Sequence, residues 1–271
     1  MSIKLVAIDI DGTLVTSNRE LTQQVTETLQ EAHRQGIKIV LCTGRPLPGV
    51  EPELEALGLT GKEDYVITYN GSLVQAVQSE QVISAYELTY EDYLEIEMMA
   101  RKVGVHLHVS GKDAIYTANR DLSPYTIYES FLVNMPVKYR TQEEMNQNIE
   151  MIKMMMIDEP EILDAAIAKL PDSFRQQYTV VKSAPFYLEV LNKKASKGAA
   201  LASLAAHLNL QSEEIMAIGD NENDLTMIEY AGTGVAMKNA IPMIKEAADY
   251  ITIGTNDENG VAEAIKKFVL R

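Results

Sequence analysis

The sequence is poor in the features that mark secreted, membrane-spanning and low-complexity proteins. It has a single cysteine, Cys42, which excludes an internal disulfide and favours a reducing compartment. No apolar run reaches the roughly 18 residues that a membrane helix needs, and the first run, residues 5–8, stops at Asp9. Glycine (15 residues) and proline (9) are scarce, which excludes collagen-like chains. We therefore predict a cytoplasmic globular protein.

The sequence also contains fewer positively charged than negatively charged residues. The 24 lysines and arginines stand against 39 aspartates and glutamates, which gives a net charge of −15 at pH 7. A chain of this charge repels phosphate backbones and anionic lipid surfaces. We therefore expect a small molecule as the partner, and neither nucleic acid nor a membrane. The sequence does not determine the oligomeric state, for which a homodimer stays open.

What the sequence does contain is an alternation of strands and helices that is interrupted once. Residues 3–70 show a βαβαβ pattern whose continuous apolar runs are typical of buried parallel strands. Residues 84–192 mix helices with alternating strands, and the first pattern then returns. We predict an α/β protein in which 1–83 and 193–271 form a doubly wound parallel-sheet core, with an inserted α+β cap domain at 84–192.

Polar side chains follow the predicted core strands at the points where these strands end. They belong to DIDGT (9–13), TGR (43–45), NG (70–71) and GDNEND (219–224). Carboxyl ends of parallel strands share one edge of a sheet, so we expect these aspartates to cluster. Two carboxylates about 4 Å apart repel by about 4 kcal/mol at an effective dielectric of about 20, so the cluster favours a bound cation. Oxygen ligands without cysteine or histidine select Mg²⁺, the usual ion with phosphate substrates.

Helix capping is the main alternative explanation of these aspartates, because each one precedes a predicted helix. A cap accounts for one aspartate at each junction between a strand and a helix. It does not account for Asp-x-Asp at 9–11 or for Asp-x-x-x-Asp at 220–224. We therefore favour the metal site.

Taken together, four segments resemble the motifs of the haloacid dehalogenase superfamily in its phosphatase form. DIDGT at 9–13 is similar to the first motif, Thr43 to the second, and GDNEND at 219–224 to the fourth. Lys197, which opens the helix after the insertion, is similar to the third. The position and size of the insertion resemble those of the Cof-type subgroup. Other stretches resemble sugar phosphatases of that subgroup: TANRD (117–121), MMIDEP (155–160), VVKSAP (180–185) and IMAIGD (215–220).

The resemblance implies hydrolysis of phosphate monoesters through an aspartyl-phosphate. Asp9 would be the nucleophile, and Asp11 would act as general acid and then as general base. Mg²⁺ would be held by Asp9, by the backbone carbonyl of Asp11 and by Asp220, with Asp224 nearby but outside the ligand set. Five residues would bind phosphate oxygens or offset their charge: Ile10 and Gly44 through their amides, and Thr43, Lys197 and Asn223.

The substrate-facing residues follow less directly from the motifs. By the same resemblance we expect small sugar phosphates as substrates, with specificity set by the cap. Candidate substrate contacts are Arg45, Asn70, Gly71, His108 and Lys182. Pairing with surface acids is an equal alternative for Arg45, and packing inside the cap is an alternative for His108.

Two other functions also use a phosphorylated aspartate. A phosphomutase shares the intermediate, but mutases of this superfamily generally carry their cap between the first strand and the second motif. Residues 14–36 leave no room for such a cap. A receiver-type signalling domain is much shorter and carries its acceptor aspartate on a later strand, whereas residues 37–50 contain no aspartate. We therefore favour a Mg²⁺-dependent phosphatase.

Overall fold

The chain forms two compact units in a computed structural model that describes residues 2–146 and 148–270. One unit, here called the core unit, contains the residues up to Ser84 and those from Ser196 onward. The other, the inserted unit, is Ala85–Ala195. The sequence placed these boundaries slightly earlier, at 83/84 and 192/193.

Strands and helices alternate through most of the described chain. Numbered along the chain, the strands are β1 (Leu5–Asp9), β2 (Lys38–Cys42), β3 (Tyr65–Thr68), β4 (Leu73–Ala76), β5 (Val82–Ala85), β6 (His106–Ser110), β7 (Ile115–Thr117), β8 (Val137–Tyr139), β9 (Lys153–Ile157), β10 (Tyr178–Ala184), β11 (Tyr187–Asn192), β12 (Ile215–Gly219), β13 (Thr233–Ala236) and β14 (Tyr250–Ile251). The α-helices are α1 (Gln23–Arg34), α2 (Glu51–Leu57), α3 (Tyr90–Val103), α4 (Pro124–Leu132), α5 (Pro160–Ile167), α6 (Asp172–Gln177), α7 (Lys197–His207), α8 (Leu225–Tyr230), α9 (Pro242–Ala247) and α10 (Gly260–Phe268).

The core unit is built on an eight-stranded sheet with the order β14-β13-β12-β1-β2-β3-β4-β5. The six strands from β14 to β3 in this order pair in parallel, as their apolar runs predict. β4 runs antiparallel to β3, because residues 69–72 are too few for the crossover that a parallel pair requires. The predicted α/β class is confirmed, and an antiparallel edge makes the sheet mixed.

The first helix shows how local sequence fixes an element of the core. The hydroxyl of Thr22 accepts a hydrogen bond from the Val25 amide at 3.2 Å and so caps the N terminus of α1. Val25, Leu29 and Ala32 then recur at helical spacing and are buried against the sheet. The helix therefore begins after Leu21, which packs against the core from outside the helix.

The core helices form two groups on the two faces of the sheet. α1 contacts α2 and α10, whereas α8 contacts α7 and α9. The strand order reverses between β1 and β12, since the chain winds outward from β1 in one direction and from β12 in the other. Ligands of doubly wound sheets bind at such a reversal, beyond the carboxyl ends of the strands. No helix in the described ranges is long and apolar enough to cross a membrane.

The inserted unit is an α+β fold around a six-stranded sheet with the order β10-β11-β9-β6-β7-β8. β7 and β8 pair in parallel, and the other pairs are antiparallel. The methionines of β9 are buried, with Met154 and Met156 in one apolar cluster and Met155 in another. These methionines therefore form part of the core of the inserted unit. The sequence did not reveal β7, β8 or α6, because such short elements carry too few residues to show a period.

Candidate active site

Three carboxylates meet at the carboxyl ends of β1 and β12. These strands pair in parallel with Ile8 opposite Ile218, so Asp9 at the end of β1 lies beside Asp220, which follows β12. One carboxylate oxygen from each of Asp9, Asp220 and Asp224 lies within 4.8 Å of the other two. The structure therefore brings together the three acidic side chains that the sequence assigned to the metal region.

A buried lysine lies between two of these carboxylates. The Nζ of Lys197 donates to Asp9 Oδ1 at 2.5 Å and to Asp224 Oδ1 at 2.6 Å. The side chain is 0% exposed. Ser196 caps α7 by accepting from the Ala199 amide at 3.1 Å, which fixes Lys197 as the first residue of the helix. Burial lowers the pKa of Lys197, but Asp224 and Asp9 outweigh burial and raise it, so the ammonium stays charged.

The cluster holds more negative charge than this lysine offsets. Burial raises the pKa of Asp9 well above its usual range, and repulsion from Asp224 adds to the effect against the opposing pull of Lys197. Burial, followed by Asp224, also raises the pKa of Asp220 to about 6. Both shifts indicate that the negative charges of Asp9 and Asp220 lack full compensation by neighbouring positive charge. A divalent cation would supply it, and an oxygen-only donor set of this spacing fits Mg²⁺.

Asp224 is held by the loop that carries Asp220. Its Oδ2 accepts from the backbone amides of Asp220 at 2.8 Å and Asn221 at 3.0 Å, while its Oδ1 is bound to Lys197. Asp220 is fixed separately, because its Oδ1 accepts from the hydroxyl of Thr13 at 2.9 Å. Asp224 thus orients the lysine and the loop.

Three of the predicted phosphate-binding residues follow β2 and β12: Thr43 and Gly44 come after β2, and Asn223 comes after β12. Asn70, a predicted substrate contact, follows β3. Thr43 is buried, and its carbonyl accepts from the Asn70 amide at 2.9 Å. The side-chain amide of Asn223 donates from Nδ2 to Asn70 Oδ1 at 3.0 Å. Gly44 lies close to the same side chain, because a Cβ atom added at Gly44 would be 3.1 Å from Asn70 Nδ2. Asn70 therefore connects Thr43, Gly44 and Asn223, three residues that the sequence assigned to phosphate.

Asp11 lies apart from the three clustered carboxylates. β1 ends at Asp9, and the carbonyl of Ile10 accepts from the amides of Thr13 and Leu14, so the chain turns there. Strand alternation, which would put Asp11 on the same side as Asp9, does not apply beyond the end of the strand. The half-exposed Asp11 carboxylate pairs instead with Arg45. Arg45 also pairs with Glu53, so it contacts two acids.

Two of the five substrate candidates, His108 and Lys182, lie in the inserted unit. His108 is fully buried, with its Nδ1 3.4 Å from the hydroxyl of Thr126. Burial, together with the positive charge of Lys153, lowers the pKa of His108 to about 3. This environment agrees with the packing role considered for it. Lys182 is partly exposed on β10 and pairs with Asp164.

Three residues of the site were not singled out from the sequence. Thr13 binds Asp220, Glu53 binds Arg45, and the Asn239 amide donates to the Gly12 carbonyl at 2.8 Å. Thr13 belongs to DIDGT, so the motif itself pointed to it. Glu53 is one of several acids on a predicted helix, and nothing in the local sequence distinguishes it.

Gly71 supports this edge of the sheet, and Gly71→Ala is expected to destabilise the fold by about 3 kcal/mol or more. Its φ is +93°, and a Cβ atom there would lie 2.1 Å from the Ser196 carbonyl oxygen, against the backbone that begins α7. Gly36→Ala is the matched control, because φ is +87° there but nothing lies within 4 Å. It should cost only about 1–2 kcal/mol. Urea unfolding of both variants measures the difference, and equal losses would contradict the steric explanation.

A doubly wound core with a large insertion and an Asp–Lys–Asp cluster at its switch point characterises a hydrolase of the haloacid dehalogenase type. The family model described as haloacid dehalogenase-like hydrolase matches residues 6–265. The chain therefore belongs to this family, and the resemblance seen in its motifs is confirmed.

Individual relatives cover almost the whole chain. A Streptococcus pyogenes protein named "Putative phosphatase" is 53% identical over 270 residues, covering 100% of both chains. A crystal structure of a haloacid dehalogenase-like hydrolase from Bacteroides thetaiotaomicron is 33% identical with a TM-score of 0.86, covering 98% of this chain and 99% of that one. A solved structure described as a subclass IIB sugar phosphatase is 29% identical with a TM-score of 0.80, covering 98% of both chains.

Proposed function

We propose that the protein is a Mg²⁺-dependent phosphatase that hydrolyses small phosphorylated metabolites, chiefly sugar phosphates, through an aspartyl-phosphate on Asp9. The observation that carries the proposal is the contact of the buried Asp9 carboxylate with Lys197, beside Asp220 and Asp224. The phosphatase name of the Streptococcus pyogenes relative and the presence of a sugar phosphatase among the structural neighbours support it.

Asp9 is suited to attack phosphorus because the fold orients its carboxylate. It ends a strand whose every residue is buried, and Lys197 holds its Oδ1 at 2.5 Å. A nucleophile fixed in this way needs little reorganisation before in-line attack. Lys197 also lies where charge on the transferring phosphoryl group would need an opposing charge.

The phosphoryl oxygens would be bound by groups that the fold already orders. Thr43 and Asn223 would donate from their side chains, and Ile10 and Gly44 from their backbone amides. Asn70 keeps two of these residues in place through its bonds to the Thr43 carbonyl and the Asn223 amide. Hydrogen-bond donors that are ordered before the substrate binds stabilise the transition state without a further reorganisation cost during the reaction.

The metal would be held by Asp9, Asp220 and the backbone carbonyl of Asp11. When bound, Mg²⁺ would offset the carboxylate charge and stabilise charge on the phosphoryl oxygens. Asp224 would keep the loop of Asp220 and the ammonium of Lys197 in position through the contacts described above.

The inserted unit is proposed to select the leaving group. Lys182 offers a partly exposed ammonium there, whereas His108 is buried and would act only through packing. The sugar-phosphate preference rests on the likeness to the subclass IIB sugar phosphatase. A panel of sugar, polyol and nucleoside phosphates, compared by kcat/KM, tests this part of the proposal. Equal values across the panel would contradict selection of sugar phosphates.

Phosphate release from these substrates should require Mg²⁺. Removing the metal with excess chelator should lower kcat by at least about 100-fold, because the ion contributes several kcal/mol of charge stabilisation. Ca²⁺ should restore little activity, since it takes more ligands at longer distances and would draw both Asp9 oxygens into coordination. Calorimetric titration of Mg²⁺ into the wild type and Asp220→Asn measures binding independently. Full activity in chelator, or unchanged affinity in Asp220→Asn, would contradict the metal assignment.

A further inference from the structure

We propose that Arg45 is a positioning residue whose guanidinium fixes the carboxylate of Asp11 for proton transfer to the leaving group. This inference rests on the proposed phosphatase function, in which Asp11 is the general acid. It assigns Arg45 to the proton-transfer step and not to binding of the substrate.

The first support is the geometry of the ion pair. Nε of Arg45 donates to Asp11 Oδ2 at 3.0 Å, and Nη2 donates to Asp11 Oδ1 at 2.5 Å. Two parallel hydrogen bonds from one planar group fix both the position and the rotation of a carboxylate. Each carboxylate oxygen keeps a second lone pair, and Asp11 can carry there the proton that it gives to the leaving oxygen.

The second support is that the arginine is the anchored partner. Its Nη1 donates to Glu53 Oε1 at 2.9 Å and to the Gly49 carbonyl at 3.2 Å. Glu53 stands in the first turn of α2. The side chain of Arg45 is 22% exposed and that of Glu53 is 13% exposed, whereas that of Asp11 is 51% exposed. The Arg45 guanidinium is thus anchored by Glu53 and Gly49, and it holds the more exposed carboxylate of Asp11 in place.

The third support is the backbone of Arg45. Its amide donates to the hydroxyl oxygen of Thr43 at 3.1 Å, and its carbonyl accepts from the Tyr69 amide at 3.2 Å. Thr43 is the residue proposed to bind a phosphoryl oxygen. The short segment 43–45 therefore fixes both Thr43 and Arg45, the residue whose guanidinium holds Asp11. This arrangement sets the separation between phosphate and proton donor, which is the separation that proton transfer to the bridging oxygen requires.

A series of ring-substituted phenyl phosphates separates positioning from substrate binding. These substrates keep one shape while the basicity of the leaving phenolate changes, and kcat/KM reports the step in which the phenolate leaves. Arg45→Gln should lose about 100-fold on unsubstituted phenyl phosphate, whose leaving group needs a proton, because a misplaced acid costs about that factor. On 2,4-dinitrophenyl phosphate, which needs no proton, the loss should stay within about threefold.

Companion variants test whether Arg45 acts through Asp11. Adding Arg45→Gln to Asp11→Asn should lower kcat/KM by no more than about twofold, because the group being positioned is already gone. Glu53→Gln should give a smaller loss with the same dependence on the leaving group. Arg45→Lys, which keeps the charge without the fork, should fall between wild type and Arg45→Gln. Arg34→Gln is the control, since this exposed arginine pairs with Glu31 on α1 and should change nothing.

The outcomes distinguish this inference from the proposed function. An equal loss across the series, a rise in KM alone, or a full further loss in the double variant would overturn the positioning role while the phosphatase assignment stands. If the wild type hydrolyses none of these esters, or if Asp9→Asn hydrolyses them normally, the proposed function fails and this inference fails with it. Thermal unfolding of each variant confirms that activity is compared between folded proteins.

Discussion

Asp9→Asn is expected to abolish turnover of every phosphate ester, with kcat at least about 10⁴-fold below wild type. Loss of a covalent nucleophile has effects of this order or larger in other enzymes. An amide has the shape of the carboxylate and still offers an oxygen to Lys197, but it does not form an acyl phosphate. The measurement is phosphate release from nitrophenyl phosphate and from a sugar phosphate in saturating Mg²⁺.

The same variant should stay folded, which separates chemistry from stability. The pKa of Asp9 is raised chiefly by burial and by Asp224, so its ionised form costs folding free energy at neutral pH when no metal is bound. A neutral amide removes that cost, and the metal-free Tm should not fall. Asp172→Asn is the control, because this exposed aspartate begins α6 and should retain full activity. Residual turnover of Asp9→Asn at a tenth of the wild-type rate would rule out Asp9 as the nucleophile.

The carboxylate cluster could be predicted because it follows from the strands. Continuous apolar runs mark buried parallel strands, and a polar residue directly after such a run must lie at the shared edge of the sheet. Asp9 and Asp220 were placed by this reasoning alone. Lys197 was found differently, through its likeness to a family motif, because its distance along the chain from either aspartate gives no local signal.

The contacts between loops could not be predicted in the same way. Hydrophobic period reports which face of an element is buried, and it carries no information once the element ends. Asp11 falls two positions beyond the end of β1, where the hydrogen bonds of a turn set its direction. Its pairing with Arg45, and the pairing of Arg45 with Glu53, join three separate segments of chain. Such contacts depend on tertiary packing, so the sequence left the role of Arg45 undecided.

Asp11→Asn is expected to separate the two halves of the reaction. A sugar alcohol is a poor leaving group, so formation of the aspartyl-phosphate should stall with sugar phosphates. A nitrophenolate leaves without a proton, so the first step should still proceed with nitrophenyl phosphate. The second step, attack of water on the aspartyl-phosphate, then lacks its base and becomes limiting. We expect a burst of up to about one nitrophenolate per active site, followed by turnover about 10²- to 10⁴-fold slower than wild type.

The decisive measurement is the intact mass of Asp11→Asn after rapid quench with nitrophenyl phosphate. The variant should carry one added phosphoryl group, and peptide mapping should place it on Asp9. Asp9→Asn under the same conditions should show neither burst nor adduct, because it has no carboxylate to phosphorylate. The half-exposed position of Asp11, outside the buried cluster, makes this separation of steps reasonable, since its loss leaves the contacts between Lys197 and Asp9 intact. An adduct on any other residue, or equal losses on both substrates without an adduct, would refute the roles assigned to the two aspartates.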